Sequence, residues 1–168
     1  MSRTSGAAKS SIFNQDEIIT PDEQGAYDWN AFPEACFAAD RTCPNGQATM
    51  YGVGAAKPYS RNYDGYDHGT HVSGIAVGNS GKTFGVAKDA SLIAIQVYSP
   101  FTSRFDCYPS APPCLLSYDS DQLAALEYIY SLRSTFPIAA VSLSLGGRHS
   151  PTRCCATRAR IICLTRLR

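Results

Sequence analysis

Two stretches decide the fold: Asp67-His-Gly-Thr-His-Val-Ser-Gly-Ile-Ala-Val-Gly78, and the segment Gly85-Val-Ala-Lys-Asp-Ala-Ser-Leu-Ile-Ala-Ile-Gln-Val-Tyr-Ser99 that follows it. The first is compact, rich in small residues and nearly uncharged, which predicts a tightly packed, buried helix. The second contains SLIAIQV, a short apolar run rich in β-branched residues, which predicts a buried strand. Further on, DQLAALEYIYSLRS predicts a helix capped by Ser120, with Leu123, Leu126, Ile129 and Tyr130 on one face. Pro137 ends that segment, and IAAVSLSL predicts a second buried strand running into Gly146 and Gly147. Strand, helix and strand over about fifty residues form a βαβ unit, whose crossover in a parallel sheet is right-handed. The fold class is therefore α/β with a parallel sheet.

The flanks differ in texture. Residues 1–33 mix acids, a proline and isolated aromatics with no period of 2 or 3.6, and remain an unassigned N-terminal segment. No apolar h-region occurs in MSRTSGAAKSSIFNQ, so no intact secretory signal is expected there. Residues 41–67, rich in Gly, Asn, Pro and Tyr, predict a long loop, and residues 100–118 a second one containing Pro and Cys. The 168-residue chain is 44% hydrophobic and 17% charged, which excludes a disordered polyampholyte. No apolar run approaches the roughly 18 residues of a transmembrane helix.

The net charge of +1 conceals a seam. Residues 1–147 hold nine Lys and Arg against fourteen Asp and Glu, whereas residues 148–168 hold six Arg and no acid. A basic arm for nucleic acid or membrane is one reading of this tail. The favoured reading sets 148–168 outside the fold, because a functional basic arm would include Lys and lack clustered Cys. The domain thus spans 34–147, with neither nucleic acid nor membrane as partner.

Cysteine spacing adds a compartment. Cys36 and Cys43 form one local pair, and Cys107 and Cys114 another with the same gap. As disulfides, each loop would be worth about 2.5 kcal/mol by the chain-entropy argument, in an oxidising, secreted setting. Four free thiols are the alternative; zinc fits worse, since neither pair has ligand spacing. Cys154, Cys155 and Cys163 lie in the tail.

The chemistry concentrates at His68-Gly69-Thr70-His71-Val72-Ser73-Gly74. An imidazole placed where a Gly-rich loop becomes a helix sits on a rigid, partly exposed edge, suited to taking a proton from a nucleophile and returning it to a leaving amine. Here the chain resembles the subtilisin-like serine proteases, the subtilases. Asp67-HGTHVSGIAVG is similar to that family's histidine motif, with His68 in the position of the general base. GVAKDASLIAIQVYS resembles the strand after the histidine helix, and VSLSLGG the substrate-binding strand. Glu34-Ala-Cys-Phe and Cys43-Pro-Asn-Gly-Gln are similar to parts of secreted, disulfide-containing members.

The resemblance implies part of a three-layer α/β/α domain and a serine endopeptidase acting on peptide or protein substrates. Ser144, Leu145 and Gly146 would pair with the substrate backbone by β-augmentation. It also implies motifs this chain departs from. A subtilisin-type triad runs Asp, His, Ser along the chain, and neither Asp-Thr-Gly, Asp-Ser-Gly nor Gly-Thr-Ser occurs here. Asp16, Asp22 and Asp28 follow no β-rich run, and Asp64 and Asp67 read as loop and cap residues. The oxyanion asparagine expected after the substrate strand is absent as well. One catalytic residue of three is present, so the chain alone is expected to be inactive. The alternative is a non-enzymatic remnant that grips extended peptides, and a complementing chain that supplies Asp and Ser is a third reading.

Weaker signals resolve to structure. Ala76-Val-Gly-Asn-Ser-Gly-Lys82-Thr83 misses a P-loop by one residue and follows a helix, so it reads as a helix-ending turn. His68 and His71 have no third ligand and form no HExxH, so no metal is assigned; His149 earns no role. Tyr51, Tyr59, Tyr63 and Tyr66 read as packing rather than a base-stacking platform. Subtilases often bind calcium, but no acidic loop matches a site, so no cofactor is assigned.

Overall fold

The computed structural model describes residues 33–60, 62–63, 65–79 and 84–144, together with the backbone of three strands at 149–150, 153–154 and 161–165. The unassigned segment 1–33 lies almost wholly outside the described residues, as do Leu145 and Gly146.

The centre of the fold is β3 (Ser91–Gln96), buried along nearly its whole length. Its Leu, Ile and Ala side chains can face protein on both sides, as a central strand requires. On one edge it pairs in parallel with β1 (Ala35–Phe37), Ala35 opposite Ile95 and Cys36 opposite Gln96. β1 pairs antiparallel with the short β2 (Thr49–Tyr51), so the predicted loop at 41–67 contains a strand. Ile93, Ile95 and Val97 are fully buried and form one core with Ala35, Phe37, Ala125 and Ile129. At about 1.5–3 kcal/mol for each fully buried aliphatic or aromatic side chain, this cluster is the chief source of stability.

Helix α1 (His68–Val77) precedes β3 and buries a stripe of small residues, Gly69, Ser73, Gly74 and Val77. Its C-terminal carbonyls are sealed by the segment leading into β3. Gly85 N–H donates to Gly78 O (2.7 Å), Val86 N–H to Ile75 O (3.0 Å) and Ala87 N–H to Ala76 O (2.8 Å). These bonds satisfy acceptors that a helix end otherwise leaves open. The helix ends at Val77, Gly78 N–H closes on Gly74 O (2.9 Å), and Asn79 is bridged to Phe84, while residues 80–83 lie outside the described residues.

Between β3 and the next helix lies a disulfide-closed excursion: β4 (Ser99–Phe101), α2 (Arg104–Cys107) and β5 (Cys114–Leu116), with β4 and β5 antiparallel. Both predicted disulfides are present, Cys36–Cys43 and Cys107–Cys114, with Cα separations of 5.8 and 5.7 Å. The second joins α2 to β5, so the stretch expected to be a loop is a clamped hairpin.

Helix α3 (Asp119–Leu132) begins after Tyr118, one residue before the expected cap. Ser120 lies in its first turn and donates weakly to Asp121 (3.5 Å) rather than capping the helix. Asp119 and Asp121 suit the positive end of the helix dipole, and Ala124, Ala125 and Leu126 are strong helix formers. At the other end Arg133 donates from Nη1 to Tyr130 O (2.7 Å) and lies 3.7 Å from the Tyr130 ring centre. The buried face is Asp121, Ala125 and Ile129, with Tyr128 and Leu132 packed beside it. Leu123, Leu126 and Tyr130 are exposed, which corrects the predicted face. The reason is the carboxylate of Asp121, which binds Ala39 and turns the helix toward β1.

The α/β class holds, with a sheet that is only partly parallel. β6 (Ile138–Leu143) runs parallel to β3 but is not its neighbour. After the short antiparallel pair β7 (His149–Ser150) and β8 (Arg153–Cys154), strand β9 (Ile161–Thr165) enters between β3 and β6, antiparallel to both. The sheet is therefore mixed, in the order β2-β1-β3-β9-β6. The segment 148–168, set outside the fold on charge, thus supplies a strand. Its Ile-Ile-Cys-Leu-Thr run favours extended pairing whatever the arginines around it do. No helix among the described residues is long and apolar enough to cross a membrane.

Gly85 gives the sharpest test of this architecture. A Cβ there would lie 2.6 Å from Gly78 N and 2.8 Å from both Ala76 C and Gly74 O, all backbone atoms that cannot swing aside. Gly85→Ala is expected to destabilise by about 1–3 kcal/mol or more, read as a lowered thermal midpoint. An unchanged midpoint would mean that this segment does not seat on α1.

Candidate active site: the histidine helix

His68 is the first residue of α1, and the chain reaches it through stacked turns. Tyr63 N–H donates to Ser60 O (3.2 Å), Tyr66 N–H to Tyr63 O (3.1 Å) and His68 N–H to Gly65 O (3.2 Å). Gly65 has φ of +78°, the left-handed backbone that a glycine adopts without strain. Tyr59, Tyr63 and Tyr66 pack against the main core, and the Tyr59 hydroxyl donates to Tyr98 O (2.7 Å). The tyrosine-rich stretch is thus a packed footing that fixes where the helix starts, as its packing role predicted.

The His68 side chain is half-buried and its Nδ1 atom is buried. Ser73 Oγ donates to Gly69 O (2.7 Å) inside the buried face, which tightens the first turn beneath the imidazole. Thr70 Oγ1 is buried and has no hydrogen-bond partner among the described residues.

His71 differs in kind. It is exposed, and its Nε2 lies 3.8 Å from Asp67 Oδ2, one turn back. Asp67 occupies the cap position by sequence, but its side chain makes no capping bond. Among the described residues no group of three His, Cys, Asp or Glu gathers as a metal site.

Ser144 lies just beyond β6, exposed, with its Oγ 3.4 Å from that of Ser142. β6 is the last strand of the sheet, paired with β9 along one edge. Leu145 and Gly146, the other predicted substrate contacts, lie outside the described residues.

A polar cluster escaped the sequence reading. Asp40 Oδ1 accepts from Ser99 Oγ (2.7 Å) and from Thr42 Oγ1 (2.7 Å), and Thr42 Oγ1 lies 3.1 Å from the Tyr59 hydroxyl. Asp40 follows the apolar run Ala35-Cys-Phe-Ala-Ala39, the kind of position from which an orienting carboxylate would come. Its described bonds instead go to hydroxyls, and Ser99 is 0% exposed, so this serine cannot meet a substrate. The cluster ties the ends of β1 and β3 together. The available signal was an acid at the end of a strand; its partner 59 residues away leaves no periodic trace.

Comparison with known proteins agrees with this arrangement. The profile described as the subtilase family matches residues 17–111, more than half of the chain, and the chain belongs to that family. The matched region contains α1 and β3 and ends before β6. Over 100 residues the chain is 32% identical to Alkaline protease 1 of Aspergillus flavus and to Alkaline protease 1 of Aspergillus oryzae, covering 57% of this chain and 21% of each relative. A further Aspergillus flavus Alkaline protease 1 is 36% identical over 90 residues, covering 54% and 19%. The chain thus spans about a fifth of the length of the curated relatives it matches. No solved structure gave a significant match.

Two substitutions separate scaffold from ornament on α1. His71→Gln removes an exposed contact with Asp67 at 3.8 Å and is expected to change stability by less than about 0.5 kcal/mol. Ser73→Ala removes a buried hydrogen bond and is expected to cost about 1 kcal/mol. Denaturant melts of the two variants check both values, and the reverse ranking would contradict the assignment of the buried face.

Proposed function

We propose that the chain carries the histidine-bearing part of a subtilisin-like serine endopeptidase, which hydrolyses peptide bonds through an acyl-enzyme. His68 is the general base that accepts the proton of the attacking hydroxyl and then the acid that delivers it to the leaving amine. The observation that carries this reading is the His68 imidazole at the start of α1, its Nδ1 buried, within the HGTHVSG motif. Ser144, Leu145 and Gly146 would hold an extended substrate by main-chain pairing alongside β6. Peptides or proteins are then the partners, and the two disulfides support an oxidising, extracellular setting.

A triad acts as a unit, and loss of its serine or histidine costs on the order of 10⁶ in turnover. The chain has neither the Asp-Thr-Gly nor the Gly-Thr-Ser motif, so by itself it does not turn over peptide. A second reading, a peptide-binding module without catalysis, is favoured by one feature: β6 closes the sheet on the side away from β9 and offers its outer edge for strand addition.

The test is labelling with a serine-directed fluorophosphonate, alongside a fluorogenic peptide assay. The chain alone is expected to take no label and release no fluorophore. Supplied with a chain bearing the two missing motifs, it is expected to support turnover that His68→Ala lowers by about 10⁶-fold, to the assay floor. Labelling of this chain alone would overturn its inactivity. Turnover by the pair that is indifferent to His68→Ala would overturn the role of His68.

A further inference from the structure

Asp121 is nearly fully buried in the first turn of α3, and both of its carboxylate oxygens accept from one donor, Ala39 N–H, at 3.1 Å. Ser120 adds a weak bond at 3.5 Å. Among the described residues no cation pairs with it. The donor's neighbour, Asp40, places a second acid at the same junction, and its bonds to Ser99 and Thr42 leave its charge unneutralised. A buried carboxylate with one shared donor and another acid beside it is better accommodated neutral than ionised.

We propose that the Asp121–Ala39 junction is an acid-favoured clasp, which fastens α3 to the end of β1 at low pH and loosens as the pH rises. The neighbouring acids oppose a charge on Asp121, whereas the Ala39 N–H, the Ser120 hydroxyl and the N-terminal end of α3 favour one, and burial with the Asp40 charge outweighs them. Asp40 lies beyond β1, Tyr118 just before α3 and Asp119 in the same helical turn, while Asp106 on α2 acts on Tyr118. Arg41, the nearest cation along the chain, is turned to Gln47 Oε1 (2.9 Å). β1 offers no titrating side chain, since Cys36 is in a disulfide, and β9, which also lies against α3, has no acid or base in its sequence besides Cys163.

Burial raises the Asp121 carboxyl above its ordinary range, the Ala39 N–H lowers it, and the Asp40 charge raises it further, with a net rise. The same negative field, after burial, lifts the Tyr118 phenol. The folded chain therefore binds the Asp121 proton more tightly than the unfolded chain does. This contribution to stability is complete below the ordinary aspartate value of 3.8 and is lost as the pH rises through the raised folded value.

The test uses the full chain, with thermal melts from pH 4 to pH 8 and carbon NMR titration of the aspartate carboxyls. Wild type is expected to lose about 2–4 °C of midpoint relative to Asp121→Asn across this range, since asparagine keeps an acceptor for Ala39 without the charge. Asp40→Asn is expected to lower the Asp121 titration midpoint. Parallel pH profiles for wild type and Asp121→Asn would overturn the proposal, as would an Asp121 carboxyl that titrates at or below the ordinary aspartate range. Should Asp121→Asn fail to fold, the carboxyl titrations of wild type and Asp40→Asn decide the matter alone.

Discussion

Everything described here leans on the burial of β3. Its residues Ile93 and Ile95 are wholly enclosed, and each neighbouring element takes its position from that strand. β1 pairs along one edge and β9 along the other, while α1 is fastened to the segment that runs into β3. The polar ends are tied in as firmly as the apolar middle. Ser99, just past β3, donates to Asp40, just past β1, so the two parallel strands finish at one hydrogen-bonded cluster. The fully buried Ser99 hydroxyl is accommodated because the exposed Asp40 carboxylate receives its hydrogen bond.

From that strand the placement of His68 follows. The helix that bears it is anchored at its far end by three backbone bonds from residues 85–87. Its near end rests on turns whose tyrosines pack into the core. The proposed role of His68 as a general base calls for a fixed imidazole, and both ends of α1 are held in place. The small residues of the motif have the same logic: Gly69, Ser73 and Gly74 form the buried face, where a larger side chain would push the helix away.

The two central predictions from sequence, a buried helix at 68–77 and a buried strand at 91–96, match the structure because each rests on a local pattern. A small-residue motif and a continuous β-branched run carry their own evidence. The disulfides were readable for the same reason, each closing a loop of eight residues. The failures are all non-local. β9 lies in the sheet through pairings with strands about twenty and seventy residues away, which neither charge nor composition expresses. Helix α3 buries a different face because one acid found a backbone donor 82 residues away, and a helical period in a leucine-rich stretch fits more than one face. The Asp40 cluster assembles residues from three separate segments, so no window of sequence contains it.

The central claim is that a β3-centred core organises this portion of a subtilase domain and thereby holds the histidine helix. Hydrogen–deuterium exchange of the full chain, read residue by residue, tests it most directly. The account predicts slowest exchange at the paired amides of β3 and β1, with Val86 and Ala87 protected through their bonds to α1. The exposed loop at Thr102 and Ser103, between β4 and α2, is expected to exchange far faster. Exchange of the β3 amides as fast as that loop, in a soluble chain, would contradict it.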